Sequence, residues 1–229
     1  PMPMRHGLTI AEVALWLNAV AVARSGQKAN LIVVPMRGWR RSMFFHKTGL
    51  PWVAPSPNMP SVSTTMVFPG QVLLEGTNLS EGRGTTDPFV YCGAPFLDQD
   101  RMASIVVRQS HEGVVLQPVQ YVPTFDKWSG EVCSGVAVRV TDKERFHPFR
   151  LSLAILDAAV QVAGDAFGWL EPPYEYEYDK PPIDILYGSE RLRERLDRRT
   201  PLSISELEAL SSVDTARWWG EVHDHLLYD

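Results

Sequence analysis

The chain has 229 residues, 45% of them hydrophobic, and a formal net charge of −5 at pH 7. This is enough apolar material for one large domain or two small ones with a proper core. The mildly acidic balance argues against a nucleic-acid-binding surface, which requires a clustered basic excess, and no apolar run approaches the roughly 20 residues of a membrane span.

The first predicted element is a helix over residues 8–26. Thr9 and Glu12 form the pattern of a capping box, apolar residues recur at helical spacing, and Gly26 ends the pattern. Residues 30–36, NLIVVPM, are typical of a strand buried on both faces. Helix, short loop and buried strand make half of a βαβ unit, so we expect an α/β sheet domain that begins upstream of this chain. The chain also does not begin with methionine, which fits a processed or truncated piece.

Residues 37–88 are rich in Pro, Gly, Ser, Thr and Trp and show no sustained period. A loop of this length inside a compact protein is usually functional or disordered. Aromatic anchors such as Trp39 and Trp52 argue against disorder, because disordered segments are poor in aromatic residues. Part of the stretch 61–74 is expected to form a helix.

After residue 88 the pattern becomes that of an α+β unit. We predict strands over 88–95, 113–124 and 132–142, and helices over 98–110, 146–167, 183–199, 203–212 and 214–229. Asp98 is placed to cap the first of these helices, and Ser203 with Glu206 is placed to open the fourth. The fold class is therefore α/β plus α+β, with the mixed unit in the C-terminal part.

The cysteines and histidines predict no metal site. Cys92 and Cys133 could form a disulfide or remain two buried thiols, and the sequence leaves both possibilities open. His223 and His225 lie two positions apart in a predicted helix and hence on different faces, and no Cys, Asp or Glu spacing completes a ligand set. We expect neither a metal nor another cofactor.

The most informative stretch is EGTNLSEGRGTT, residues 75–86, which we call the acidic turn. Its glycines permit tight turns and close approach to a ligand, Asn78 supplies donors and acceptors, and Arg83 can bind a carboxylate in bidentate fashion. Glu75 and Glu81 provide two carboxylates, the equipment of glycoside hydrolysis, in which one protonates the leaving oxygen and the other acts as base or nucleophile. We expect this turn to form one side of a carbohydrate pocket.

Simpler interpretations of these residues stay open. Arg83 could pair with Glu81 while Glu75 caps a turn, which would make the stretch structural. His6 lies at a strand-to-helix junction where α/β proteins bind ligands, or it is hydrogen-bonded in a turn. Aromatic residues beside polar loops either stack on sugar rings or close a core, namely Trp39, Trp52, Tyr174, Tyr176 and Tyr178.

Several stretches, in the same order, resemble the exo-β-N-acetylmuramidase family, long carried as a domain of unknown function. They are RHGLTIAEVALWLN, VVPMRGWRRSMFF, TGLPWVAPSPNMPS, FPGQVLLEGTNLSEGRGTTDPF, GAPFLD and PPIDILYGS. The resemblance implies a periplasmic or secreted glycoside hydrolase that removes N-acetylmuramic acid from the non-reducing end of peptidoglycan fragments. It also implies a Rossmann-like domain, of which residues 1–86 are the remainder, then a smaller α+β domain over 87–229, with the cleft between them.

On this resemblance Glu75 and Glu81 are the catalytic candidates. The substrate-binding candidates are Arg5, His6, Arg41, Asn58, Asn78 and Arg83, and the arginines would meet the lactyl carboxylate of the sugar. Most of the family's N-terminal domain would be absent from this chain, including the region where a catalytic glutamate has been proposed, so the expected partners are a peptidoglycan-derived sugar and that missing domain. The alternatives are a non-catalytic module that holds cell-wall sugar or braces that domain and, on the α/β pattern alone, a nucleotide-dependent enzyme.

Overall fold

The computed structural model describes residues 2–109 and 111–229. The chain divides into two compact units, of which the first comprises the residues up to 51 together with 213–229, and the second comprises residues 52–212. The predicted domain boundary after residue 86 therefore falls inside the second unit. Each unit is described by itself below.

The elements are mixed α and β. The strands are β1 (Tyr91–Ala94), β2 (Val114–Tyr121) and β3 (Cys133–Val140). The helices are α1 (Ile10–Ser25), α2 (Val62–Gln71), α3 (Gln99–Val107), α4 (Pro148–Ala163), α5 (Pro182–Tyr187), α6 (Arg191–Leu196), α7 (Ile204–Ser211) and α8 (Thr215–Val222). The predicted helix over 183–199 is interrupted between α5 and α6, where Gly188 adopts a left-handed φ of 90°.

Helix α1 of the first unit forms as its sequence predicts. Thr9 and Glu12 make both hydrogen bonds of the capping box, and Gly26 ends the helix in the left-handed conformation. These signals are local, since each involves residues within four positions along the chain. The start and end of this helix could therefore be predicted from sequence alone.

The strand predicted over 30–36 is absent, and that prediction is wrong for the described structure. The segment has no regular secondary structure and pairs with no strand, and Ile32 and Val34 are each 87% exposed. A strand exists only through hydrogen bonds to a neighbour, so an apolar β-branched run cannot form one by itself. The Rossmann-like description is likewise not confirmed, because the three-stranded sheet found among the described residues is antiparallel and lies in the second unit.

The sheet of the second unit has the order β1–β3–β2, so the last strand in sequence is central. Cys92 lies opposite Val136 and Tyr121 opposite Cys133. The buried core runs from Val67 to Leu207 and lies entirely within this unit. Helix α4 is buried along most of its length, with α2 and α3 packed against it.

The acidic turn is held between this core and the sheet. Leu73 and Leu74 precede it in a 3₁₀ turn and are fully buried, which anchors its start. Ser80 and Gly93 exchange backbone hydrogen bonds of 2.8 and 3.0 Å, which pairs the middle of the turn with β1. Thr77 forms a bridge with Trp169 on the other side. The core and the sheet therefore fix the position of the turn.

Candidate functional site

Arg83 lies at the centre of the acidic turn and joins its two carboxylates. Its Nη2 donates to Glu75 Oε1 at 2.5 Å, and its Nε donates to Glu81 Oε1 at 2.8 Å. The guanidinium lies over the ring of the buried Phe89, 5.0 Å from the centroid. Nη1 hydrogen-bonds none of the described residues, so it is the open part of the group.

Lys127, from the loop between β2 and β3, completes the network on the buried side. Its Nζ donates to Glu81 Oε2 at 3.0 Å and to the carbonyl oxygens of Leu74 and Leu79 at 2.9 and 3.0 Å. An ammonium group has three N–H donors, and all three are used here. The sequence did not single out this residue, because a lysine in a polar loop is indistinguishable locally from a solvent-exposed one.

Tyr174 contacts the network at its other end. Its hydroxyl donates to Glu75 Oε2 at 2.7 Å. Burial, followed by the neighbouring carboxylate of Glu75, raises the pKa of Tyr174, so the hydroxyl keeps its proton and remains a donor. The sequence marked Tyr174 only as a ring that could stack on a sugar or close a core, and its hydroxyl has a different role.

Four charged side chains alternate in sign along the network, in the order Glu75, Arg83, Glu81, Lys127. Asp126 adds a third carboxylate, 3.9 Å from Nε of Arg83. The Glu75 side chain is 17% exposed and that of Glu81 is 3% exposed. Burial would by itself lower the pKa of Arg83, but the two glutamates raise it, so this cation is permanent. The Arg83–Glu81 ion pair of the simpler interpretation is thus present, and Arg83 forms a second ion pair with Glu75.

Asn78 is committed to structure by all of its polar groups. Its Nδ2 donates to the carbonyl of Ala166 at 2.8 Å, and its Oδ1 accepts from Gly168 N at 3.1 Å. Its backbone carbonyl accepts from Trp128 Nε1 at 2.6 Å. Asn58 is half-buried in the loop before α2, and its backbone N–H donates to Ser56 Oγ. Neither amide side chain joins the charged network.

The remaining predicted site residues belong to the first unit. Arg41 forms a salt bridge with the buried Glu12 at 2.6 Å, and it also donates to the carbonyls of Gly7 and Tyr228. Its guanidinium lies 5.9 Å from the centroid of the Trp39 ring. Most of its donors are therefore used inside the unit.

Burial raises the pKa of Glu12, but hydrogen bonds from Arg41 and from the backbone N–H groups of Thr9 and Leu227 outweigh it and bring the value down to about 2. His6 accepts from Leu8 N through Nδ1 at 3.1 Å and from Trp218 Nε1 through its carbonyl at 3.0 Å. This is the hydrogen-bonded turn of the simpler interpretation. Arg5 is exposed.

A cavity of about 770 Å³ lies in the first unit, and it does not involve the acidic turn. Its walls are formed by Trp39, Arg40, Arg41, Trp219, His223 and residues 226–229. A second cavity, of about 20 Å³, lies beside His111 and Arg150. Neither is lined by the acidic turn, so a carbohydrate pocket at the turn stays a prediction.

Metal sites, membrane-spanning helices and a disulfide are all absent from the described part of the chain. No cluster of three or more His, Cys, Asp or Glu side chains that could hold a metal occurs within residues 2–109 and 111–229. Over the same residues, no helix has both the length and the apolar character needed to cross a membrane. Cys92 and Cys133 are free, buried thiols, which decides the question that the sequence left open.

Comparison with known families places the chain. Residues 66–228 match the family described as exo-β-N-acetylmuramidase NamZ, C-terminal, and residues 1–63 match its N-terminal counterpart. The chain belongs to the NamZ family. The resemblance seen in the sequence is therefore confirmed, and the acidic turn lies within the match to the C-terminal part of NamZ.

Individual relatives agree with this. The chain is 39% identical over 170 residues to the peptidoglycan β-N-acetylmuramidase NamZ of Bacillus subtilis (strain 168), covering 74% of this chain and 40% of that protein. The match thus spans 40% of the length of this curated NamZ.

Two crystal structures of DUF1343 family proteins from Bacteroides fragilis NCTC 9343 share the fold. One has a TM-score of 0.82 at 24% identity, with 98% of this chain and 57% of that chain covered. The other has a TM-score of 0.69 at 21% identity, with 98% and 56% covered.

Proposed function

We propose that the protein is a glycoside hydrolase, or the C-terminal part of one, that removes N-acetylmuramic acid from the non-reducing end of peptidoglycan fragments. The observation that carries this proposal is the match to both parts of the NamZ family over residues 1–63 and 66–228. The charge network of the acidic turn, in which Glu81 is buried and the other side chains are partly buried, adds support. An ordinary surface bend does not place four alternating charges against a hydrophobic core, since burying charge is costly.

In this proposal Glu75 is the carboxylate that a substrate reaches, because its side chain is more exposed than that of Glu81. Arg83 would contact a sugar hydroxyl or the lactyl carboxylate of muramic acid. The sequence pattern nominated Glu81 as a second catalytic carboxylate, but its burial and its two ion pairs favour a positioning role. Both carboxylate oxygens of Glu81 already accept hydrogen bonds, one from Arg83 and the other from Lys127. Because the match covers only 40% of the Bacillus subtilis NamZ, we propose that the second catalytic group lies in a part of the NamZ N-terminal domain other than the matched residues 1–63.

The test is release of N-acetylmuramic acid from a chromogenic disaccharide by the full-length protein. Glu75→Gln should lower kcat by roughly 10²–10⁴, the usual contribution of an acid–base group. Glu190→Gln, which alters an exposed glutamate, is the matched control. A loss of less than tenfold for both Glu75→Gln and Glu81→Gln would remove the acidic turn from catalysis.

A second candidate function is a non-catalytic module that holds cell-wall sugar. The observation that favours it is the internal pairing of both glutamates with Arg83. Calorimetry on the 229-residue chain separates the two functions, because the module would bind a muramic-acid disaccharide and leave it intact. Turnover by this chain alone would exclude the second function.

A further inference from the structure

We propose that Lys127 is a positioning residue that acts through Glu81 to orient Arg83, and that the loop of residues 123–130, the lysine loop, exists to hold it there. The inference rests on the proposed function in one respect, since it takes Arg83 to be the group that contacts the sugar. It assigns a role to a loop that the sequence pattern left as a connector between two strands.

The lysine loop is tied to the acidic turn at three separate places. Thr124 donates to the carbonyl of Gly84 from both its backbone N–H and its hydroxyl, each at 2.9 Å. Trp128 donates from its indole to the carbonyl of Asn78. Lys127 donates to the carbonyl of Leu74, which directly precedes the turn, and to that of Leu79 within it. The lysine loop is therefore hydrogen-bonded to most of the acidic turn.

The backbone on both sides of Lys127 adopts an uncommon conformation. Asp126 and Trp128 have φ values of 67° and 59°, in the left-handed region that non-glycine residues rarely occupy. Such residues cost free energy and persist where the surrounding contacts hold them in place. Here those contacts are the bonds to the acidic turn and the closing bond from Gly130 N to the carbonyl of Pro123, at 2.8 Å. The uncommon backbone thus flanks the one lysine of the loop, whose ammonium group contacts Leu74, Leu79 and Glu81.

The path from Lys127 to the open donor of Arg83 is short. Lys127 holds one oxygen of Glu81, the other oxygen of Glu81 holds Nε of Arg83, and Glu75 holds Nη2. Because Nε and Nη2 of the planar guanidinium are both held and its face lies over Phe89, the direction of Nη1 is determined. Removal of the ammonium frees one oxygen of Glu81 and lets the carboxylate rotate, so the guanidinium loses one of its two fixed positions.

Replacement of Lys127 would lower stability even if the residue had only a structural role. The test therefore needs a variant that separates a loss of stability from a change in the orientation of Arg83. Lys127→Met removes the charge at similar length and leaves Glu81 with a buried, partly unpaired carboxylate. The double variant Glu81→Gln with Lys127→Met removes both charges and should recover much of the lost unfolding midpoint. Lys28→Met, at an exposed lysine of the first unit, is the control.

Kinetics on the full-length protein give the first readout. Lys127→Met should raise the KM for the disaccharide by about tenfold with a smaller change in kcat, since it disturbs binding by Arg83. The double variant should show a similar KM and no additive loss, because both residues act through one path. A double variant that regains both stability and the wild-type KM would overturn the proposal, as would a Lys127→Met enzyme with unchanged KM.

A second readout does not depend on activity. The Nε–H of Arg83 donates to Glu81, so its hydrogen exchange, followed by ¹⁵N NMR, should be about tenfold faster in Lys127→Met and unchanged in Lys28→Met. Unchanged exchange in Lys127→Met would reject the positioning role. If the wild-type protein released no sugar, the proposed function would fail while this measurement still decided the role of Lys127.

Discussion

Arg83 pairs with two carboxylates through two different nitrogens of one planar group. Its Nη2 and Nε point at Glu75 and Glu81, while Phe89 supports its face. Lysine carries the same charge as a single flexible point and cannot reproduce both directions. The choice of arginine at this position therefore follows from geometry rather than from charge alone.

Arg83→Lys should accordingly lower the free energy of unfolding by about 2–4 kcal/mol, because one partly buried carboxylate loses its partner. Urea unfolding measures this change. Arg101→Lys, at an exposed arginine of α3, should shift the same quantity by less than about 0.5 kcal/mol. Equal stability of the two variants would show that the network contributes little to folding.

Glu12 makes stability depend on acid pH. Its pKa falls from an ordinary value of 4.5 to about 2 in the folded protein, so protonation favours the unfolded chain. The stabilisation is complete above pH 4.5 and is lost as the pH falls from there towards 2. Glu12→Gln should cost on the order of 2 kcal/mol near pH 7, and its difference from the wild type in urea unfolding should shrink over that window. A difference that stayed constant from pH 7 to 2 would contradict this assignment.

At the scale of elements, the close approach of the lysine loop to the acidic turn explains why residue 84 is glycine. Gly84 has a φ of +77°, and a Cβ there would lie 2.7 Å from Phe125 N and 2.8 Å from its carbonyl oxygen. Both atoms belong to the backbone of the lysine loop, so neither can move aside cheaply. Glycine is required here by space as well as by conformation.

Gly84→Ala should therefore destabilise the protein by more than about 2 kcal/mol. Gly130 offers a matched control, since it has a φ of +81° but no atom within 4 Å of a built Cβ. Gly130→Ala should lose only about 1 kcal/mol, the conformational part. Comparison of the two unfolding free energies isolates the steric part, and equal losses would rule it out.

The exposed segment over 30–36 makes a different prediction. Since Ile32 and Val34 face solvent here, replacing both with Thr should change the stability of this chain by less than about 0.5 kcal/mol. If they pack in a sheet of the proposed missing domain, the same change in the full-length protein should cost about 2 kcal/mol or more. Thermal unfolding of both proteins provides the measurement, and an equally small effect in each would argue against that sheet.

At the scale of the whole molecule, the second unit holds the sheet, the acidic turn and the buried core. A chain limited to residues 52–212 should therefore unfold in a single cooperative transition in urea. It should keep the hydrogen-bonded Nε–H of Arg83 as well, because every partner of that residue lies in this unit. A non-cooperative transition would mean that the unit needs the rest of the chain.

The sequence by itself determined the elements that depend on neighbouring residues. The capping boxes of α1 and α7, the Asp98 cap of α3 and the strands β2 and β3 all follow from local patterns. The family could also be identified from its motifs, and the unusual polar content of the acidic turn marked it for attention.

Only the tertiary structure decided how that turn is used. Glu81 meets Lys127 from 46 positions away, and Glu75 meets Tyr174 from 99 positions away. No periodicity or spacing relates residues that far apart, so neither partner could be found from sequence. The same reason explains the failure at 30–36, since the apolar pattern specifies burial, whereas a strand forms only where another strand pairs with it.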